Sequence, residues 1–131
     1  MNDCENEVYT RVATVLREQF PGINLSGEYV KAPSSFPHVS IVQSDTVTVY
    51  MKTTDTRQYD RLLFEINIYS NKAAGKKTEC KAIAKEIDRI MFSMNFRRMS
   101  MTPVPNMEDA SIYRMVARYR VTTDGKYFYR R

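Results

Sequence analysis

The sequence predicts an α+β domain: a mainly antiparallel sheet of about 4–5 strands with two helices packed on one of its faces. Three observations carry this expectation. Two stretches repeat apolar residues at helical spacing, Val8, Val12, Val15, Leu16, Phe20 and then Cys80, Ile83, Ala84, Ile87, Ile90, Met91, Met94. Between them "YDRLLFEINIYS" alternates, with Leu62, Phe64, Ile66 and Ile68 pointing one way and Glu65 and Asn67 the other. The order of elements is helix, two strands, an excursion, strand, helix, two strands, and the short link between the last two strands favours antiparallel pairing.

The first helix covers "ENEVYTRVATVLREQF". Asn2 and Glu5 resemble a capping pair, and Phe20-Pro21-Gly22 is a strong stop. Residues 23–32, "INLSGEYVKA", are extended and carry a glycine. A Pro-Ser-Ser-Phe-Pro turn leads into "PHVSIVQ", a second strand. Residues 44–58 favour strand by composition but contain no sharp turn, so a long, partly extended excursion outside the core is expected. After "YDRLLFEINIYS" comes the basic stretch "SNKAAGKKTECK", then the second helix, in which Cys80 reads as a small buried hydrophobe. "RRMSMTP" places Met99 and Met101 on one side of a strand, and "PVPNMEDAS" is a proline-marked turn. In the last long strand Tyr113, Met115, Ala117, Tyr119 and Val121 alternate with Arg114, Val116, Arg118 and Arg120. An Asp-Gly turn and a basic aromatic end close the chain.

At 131 residues, 43% apolar and 27% charged, the chain is expected to form one domain over residues 1–131. No apolar run reaches the roughly 18 residues of a membrane span, and the acidic start "MNDCENEVYT" is unlike a signal peptide, so synthesis in the cytosol and no membrane partner are expected. The net charge of +5 is unevenly placed. Residues 1–109 hold 14 basic and 14 acidic residues, whereas residues 110–131 hold six basic residues and Asp124 alone. Such a stripe attracts an anionic partner or is a solvated sheet face.

The residues bear on four chemistries. The order strand, Gly-Lys-Lys-Thr, helix around Gly75 resembles a phosphate loop, but the residue five places before Gly75 is Ser70, and Thr78 comes one place late for a magnesium ligand. A metal-dependent nuclease needs Glu-x-Lys, and here Glu65-Ile66-Asn67 ends in asparagine. Nucleophilic catalysis has only His38 as a base, with no serine or cysteine motif beside it. Arginines interleaved with tyrosines favour weak attraction to DNA, but the tyrosines fall on the expected core face. No enzyme activity, cofactor or metal site is therefore expected. Eight methionines and nine tyrosines, with Tyr50, Met51 and Met107 in expected loops, favour an interaction protein.

The stretches "GEYVKAPSSFPHVSIV", "LLFEINIYSNKAAGKKTECKAIAKEID" and "PVPNMEDASIYRMVARYR", with the opening helix and terminal "YRR", resemble the small tail terminator (tail completion) proteins of long-tailed phages and prophages, especially of Gram-positive hosts. The resemblance covers nearly the whole chain and includes no catalytic signature. It implies a sheet with helices on one side and a hexameric ring that caps the head-proximal end of the tail tube. Its implied partners are further copies of the chain, the tail tube protein, the head connector or stopper, and DNA passing unread through the lumen. The implied location is the virion tail, after assembly in the host cytoplasm. Expected interface residues are Tyr50, Met51 and Arg57 in the excursion, Lys72, Lys76 and Lys77 in the basic loop, and Arg114, Arg118 and Arg120 on the last strand. A head-completion or neck protein, or a small nucleic-acid-binding protein using the basic C-terminal strand, are the alternatives.

Overall fold

The computed structural model describes residues 3–30, 33–49, 59–105 and 110–129. Its elements in chain order are α1 (Glu5–Gln19), β1 (Asn24–Ser26), β2 (His38–Val49), β3 (Tyr59–Ser70), α2 (Lys76–Ser93), β4 (Arg97–Pro105), β5 (Tyr113–Thr123) and β6 (Phe128–Tyr129). The strands form a six-stranded sheet in the order β1-β2-β3-β5-β4, with β6 also paired to β5. Every pairing is antiparallel except β1 with β2. Strands β3 and β4 flank β5 and run parallel to each other, joined by α2, so β5 is inserted into a split crossover. The α+β expectation holds.

Side-chain alternation on β3 sends Leu62, Phe64, Ile66 and Ile68 to the helix face, where they meet Val39 and Ile41 of β2 and Ala117, Tyr119 and Val121 of β5. The α1 stripe contributes Val8, Val12 and Leu16; Val15 and Phe20 are only partly buried at its edge. The α2 stripe contributes Cys80, Ile83, Ala84, Ile87, Ile90 and Met91. Burial of large side chains of this kind stabilises by about 1.5–3 kcal/mol each, which is why the apolar periods were readable in the sequence.

Three local expectations change. The strand expected over residues 23–32 shortens to Asn24–Ser26, after which the segment 27–30 leaves the edge and folds across the sheet. Residues 44–49 of the expected excursion are strand: β2 runs through a bulge between Gln43 and Asp45 and pairs with β3 out to Val49–Tyr59. Residues 50–58 lie outside the described residues. Met99 and Met101 share a strand face, but a bulge between Arg98 and Ser100 leaves Met99 55% exposed while Met101 packs on the core. The first helix begins at Glu5, with Cys4 at its N-cap position. Asn2 lies outside the described residues, and Glu5 Oε2 accepts a 2.6 Å hydrogen bond from Gln43 N, holding α1 to the β2 bulge. At the helix start itself, Asp3 Oδ1 accepts from Glu5 N at 3.1 Å.

Both cysteines are buried and free. Desolvation raises the Cys4 thiol pKa and pushes that of Cys80 up to about 12, the latter with help from Glu79. Since the thiolate is the reactive form, Cys80 is expected to resist iodoacetamide at pH 8 until the chain unfolds globally. Cys4, at the helix N-cap, is expected to react earlier through fraying. Mass-spectrometric counting of labelled sites along a urea series checks this order; simultaneous labelling counts against it.

Candidate functional site

With both helices on one face, the other face of the sheet is open, and strand register fixes which side chains it carries. Across β2, β3, β5 and β4 the open-face rows are His38, Tyr69, Arg114 and Val104; Ser40, Asn67, Val116 and Thr102; Val42, Glu65, Arg118 and Ser100; then Asp45, Leu63, Arg120 and Arg97. Arg61, opposite Thr122, lies one row further on. Among the described residues of these strands the face thus holds five arginines against the two carboxylates Glu65 and Asp45.

Its two halves differ. In the half around Arg114, the guanidinium donates twice to Asn67 Oδ1, from Nε at 2.9 Å and from Nη2 at 2.7 Å. The Cζ atom lies 5.5 Å from the centre of the Tyr29 ring and 5.8 Å from that of Tyr69. Tyr69 donates from its hydroxyl to Val30 O at 2.8 Å, so the segment 27–30 is tied down over the sheet. Burial pushes the Tyr69 pKa up to about 12. Asn67, expected on a wet face, is fully buried because Arg114 covers it. This half is internal packing.

His38 belongs to the same half. Its Nε2 lies 3.1 Å from Ser26 Oγ and its ring 6.1 Å from that of Tyr69. Burial lowers its pKa below 6.5. The unfolded chain therefore binds a proton at a pH where the folded chain does not. The stability contributed here is complete above pH 6.5 and is lost as pH falls from there towards the folded-state pKa. The urea midpoint is expected to fall between about pH 7 and pH 5.5, above the main carboxylate range. His38→Gln is expected to flatten that slope, and an unchanged slope removes His38 as its source.

The other half is open to solvent and basic. Arg118 is paired with the directly opposite Glu65 at 3.0 Å, an exposed contact worth well under about 1 kcal/mol. Arg120 stands directly opposite Arg97, and the Nε atoms of Arg120 and Arg61 are buried without a hydrogen-bond partner among the described residues.

The expected interface residues therefore separate. Tyr50, Met51 and Arg57, together with Met107, lie outside the described residues. Arg114 is drawn into internal packing, while Arg118 and Arg120 share the open half. The lysines are elsewhere: from the Arg114 row to the Arg120 row is about 20 Å along the strand, and the basic loop follows Ser70 beyond the Arg114 end. Lys72 and Lys77 are exposed, and Lys76 Nζ donates to Ser111 O at 3.1 Å. Arg61 and Arg97 were not among the expected residues. Arg61 was findable, being in phase with Glu65 and Asn67, whereas Arg97 is placed by a bulged edge strand that leaves no local signal.

The loop before α2 is closed by its own side chains. Gly75 caps α2 at φ 90, a left-handed conformation that suits glycine, and Ser70 Oγ donates to Glu79 Oε1 at 2.6 Å while accepting from Lys72 N at 3.3 Å. Glu79, in the first helical turn, thus ties the start of α2 back to the end of β3. Among the described residues no three His, Cys, Asp or Glu side chains cluster as a metal site, and no helix is long and apolar enough to cross a membrane. A groove of about 530 Å³ between α2 and β4 has Met99, Met101, Met115 and Ala84 along it and Lys81, Lys85 and Arg98 at its rim.

No protein-family model matches the sequence, and no curated protein matches it. Among solved structures, the chain is similar in fold to a chain in the virion of a native gene transfer agent particle, with a TM-score of 0.68 and 16% identity. The similarity covers 88% of this chain and 90% of that one.

Proposed function

We propose that the chain is a structural virion protein that forms a ring at the head-proximal end of a phage tail tube, capping the tube and joining it to the head connector. The observation that carries the virion role is the fold shared with a gene transfer agent virion chain over nearly the full length of both. The tail-end placement is supported by the sequence resemblance to tail terminators. In this reading the protein catalyses nothing. Copies of itself, the tube protein and the connector are its partners, and DNA passes through the lumen without being read.

A ring needs two different surfaces on each copy that meet by rotation. The basic open half of the sheet is one candidate, and the Met-lined groove between α2 and β4 is another. The expected result is a species of about six times the 15.3 kDa monomer in light scattering, alone or on added tail tubes, with rings in negative-stain images. A chain that stays monomeric and leaves tubes uncapped overturns the reading. Adjacent genes for a major tail protein and a tape-measure protein would support the tail end, whereas adjacent head genes alone would favour a head-completion or neck protein.

The basic half-face also supports a second reading, a small nucleic-acid-binding protein. Gel-shift binding to duplex DNA that survives raised salt favours it, because purely electrostatic attraction fades with salt.

A further inference from the structure

Arg61, Arg97 and Arg120 form no ion pair with a carboxylate among the described residues, whereas Arg89, Arg98 and Arg118 each do. Like charges placed directly opposite across a sheet are destabilising, and Arg97 with Arg120 is such a pair. Buried guanidinium nitrogens without acceptors add to that cost. An anion arriving on this half-face would offset both terms.

The chain carries a matching surface. Asp3 just before the first helix and Glu5 and Glu7 in its first turn are acidic; Glu5 is engaged by Gln43 N while Asp3 and Glu7 are exposed. Cys4, between them, has Thr123 and Asp60 as neighbours, so the α1 start sits at the ends of β5 and β3. Arg61 and Arg120 emerge at that same end of the sheet on the opposite face. One copy cannot bring its own arginines and acids together through the sheet, but a second copy can.

We propose that the arginine half-face of one copy binds the acidic α1 start of the next. The proposal rests on the self-assembly reading above and names the chemistry of its contact. Because the two patches are different surfaces on opposite faces, the contact is heterologous and propagates head to tail, closing into a ring if the rotation permits. The alternative anion, the phosphate backbone of DNA, is the less favoured occupant because the chain itself supplies the complement.

The test uses the full chain and two neutralising pairs, Arg97→Ser with Arg120→Ser and Asp3→Asn with Glu7→Gln. Melting curves close to wild type verify that each variant folds. In sedimentation velocity, wild-type self-association is expected to weaken as salt rises from about 0.05 to 0.5 M. Each pair alone is expected to weaken it by about tenfold or more. An equimolar mixture of the two variants retains one native contact per pair of chains, so it is expected to form dimers and stop there. Wild-type assembly unaffected by either pair overturns this contact and leaves ring formation standing. A wild-type chain that is monomeric in solution also overturns it, while capping on added tubes separately tests the proposed function. An arginine variant that assembles normally but loses affinity for a duplex DNA probe assigns the face to phosphate and overturns the proposal.

Discussion

Phe96→Ala is expected to lower the unfolding free energy by about 3–5 kcal/mol, the range for removing a buried aromatic ring. Phe96 is 1% exposed and sits between α2 and β4, immediately after Asn95, whose φ of 68 turns the chain out of the helix. Its ring meets Phe64 edge-on, with centroids 5.4 Å apart, and Phe128 at 5.7 Å. The first contact ties the helix-to-strand corner to the central strand; the second ties it to the C-terminal strand. Alanine leaves a cavity lined by two aromatic rings that belong to a well-paired sheet and collapse poorly into it. At this chain length the loss corresponds to roughly 10–20 °C in Tm. Met99→Ala, on the exposed bulge, is expected to cost under about 1 kcal/mol. Urea unfolding with an unchanged m-value measures both; similar losses for the two variants would refute the assignment of Phe96 as a core corner.

Arg114→Ala is expected to destabilise the chain by about 2–3 kcal/mol, much more than a surface arginine. The reason is what it leaves behind. Asn67 is fully buried, its Nδ2 makes no hydrogen bond among the described residues, and its Oδ1 is served by Arg114. Removing the guanidinium breaks two charge-assisted hydrogen bonds to that oxygen and takes away the surface on which Tyr29 lies. Lysine, with a point charge in place of a planar fork, cannot reproduce the two-donor contact, so Arg114→Lys is expected to recover less than half of the loss. Arg118→Ala loses only an exposed pair with Glu65 and is expected to cost under about 1 kcal/mol. If Arg114→Ala and Arg118→Ala have equal effects on chemical unfolding, the two halves of the face are not physically distinct as described.

These two residues also show how far the sequence reaches. The helices and the central strand were legible because each repeats apolar residues at its own period, and burying that stripe is the largest local term in its stability. Leu62, Phe64, Ile66 and Ile68 could face only one way, and the helical stripes of α1 and α2 needed that face to cover them. Phe96 belongs to neither period, lying between a helix and a strand, so no spacing pointed to it. The candidate interface divided in the same manner. Arg118 and Arg120 were readable as a polar alternation, but Arg114 carries the same phase and has a different fate.

The α+β class, the apolar faces, the burial of Cys80 and the concentration of positive charge in the last strand and tail follow from residue type and from spacing within one element. Which charges face one another depends instead on how distant segments pack. The inserted position of β5 places Arg120 against Arg97 and Arg118 against Glu65, and the fold-back of residues 27–30 across the sheet turns Arg114 into a half-buried support. Those juxtapositions join residues tens of positions apart through strand register and chain path, for which a local pattern carries no signal.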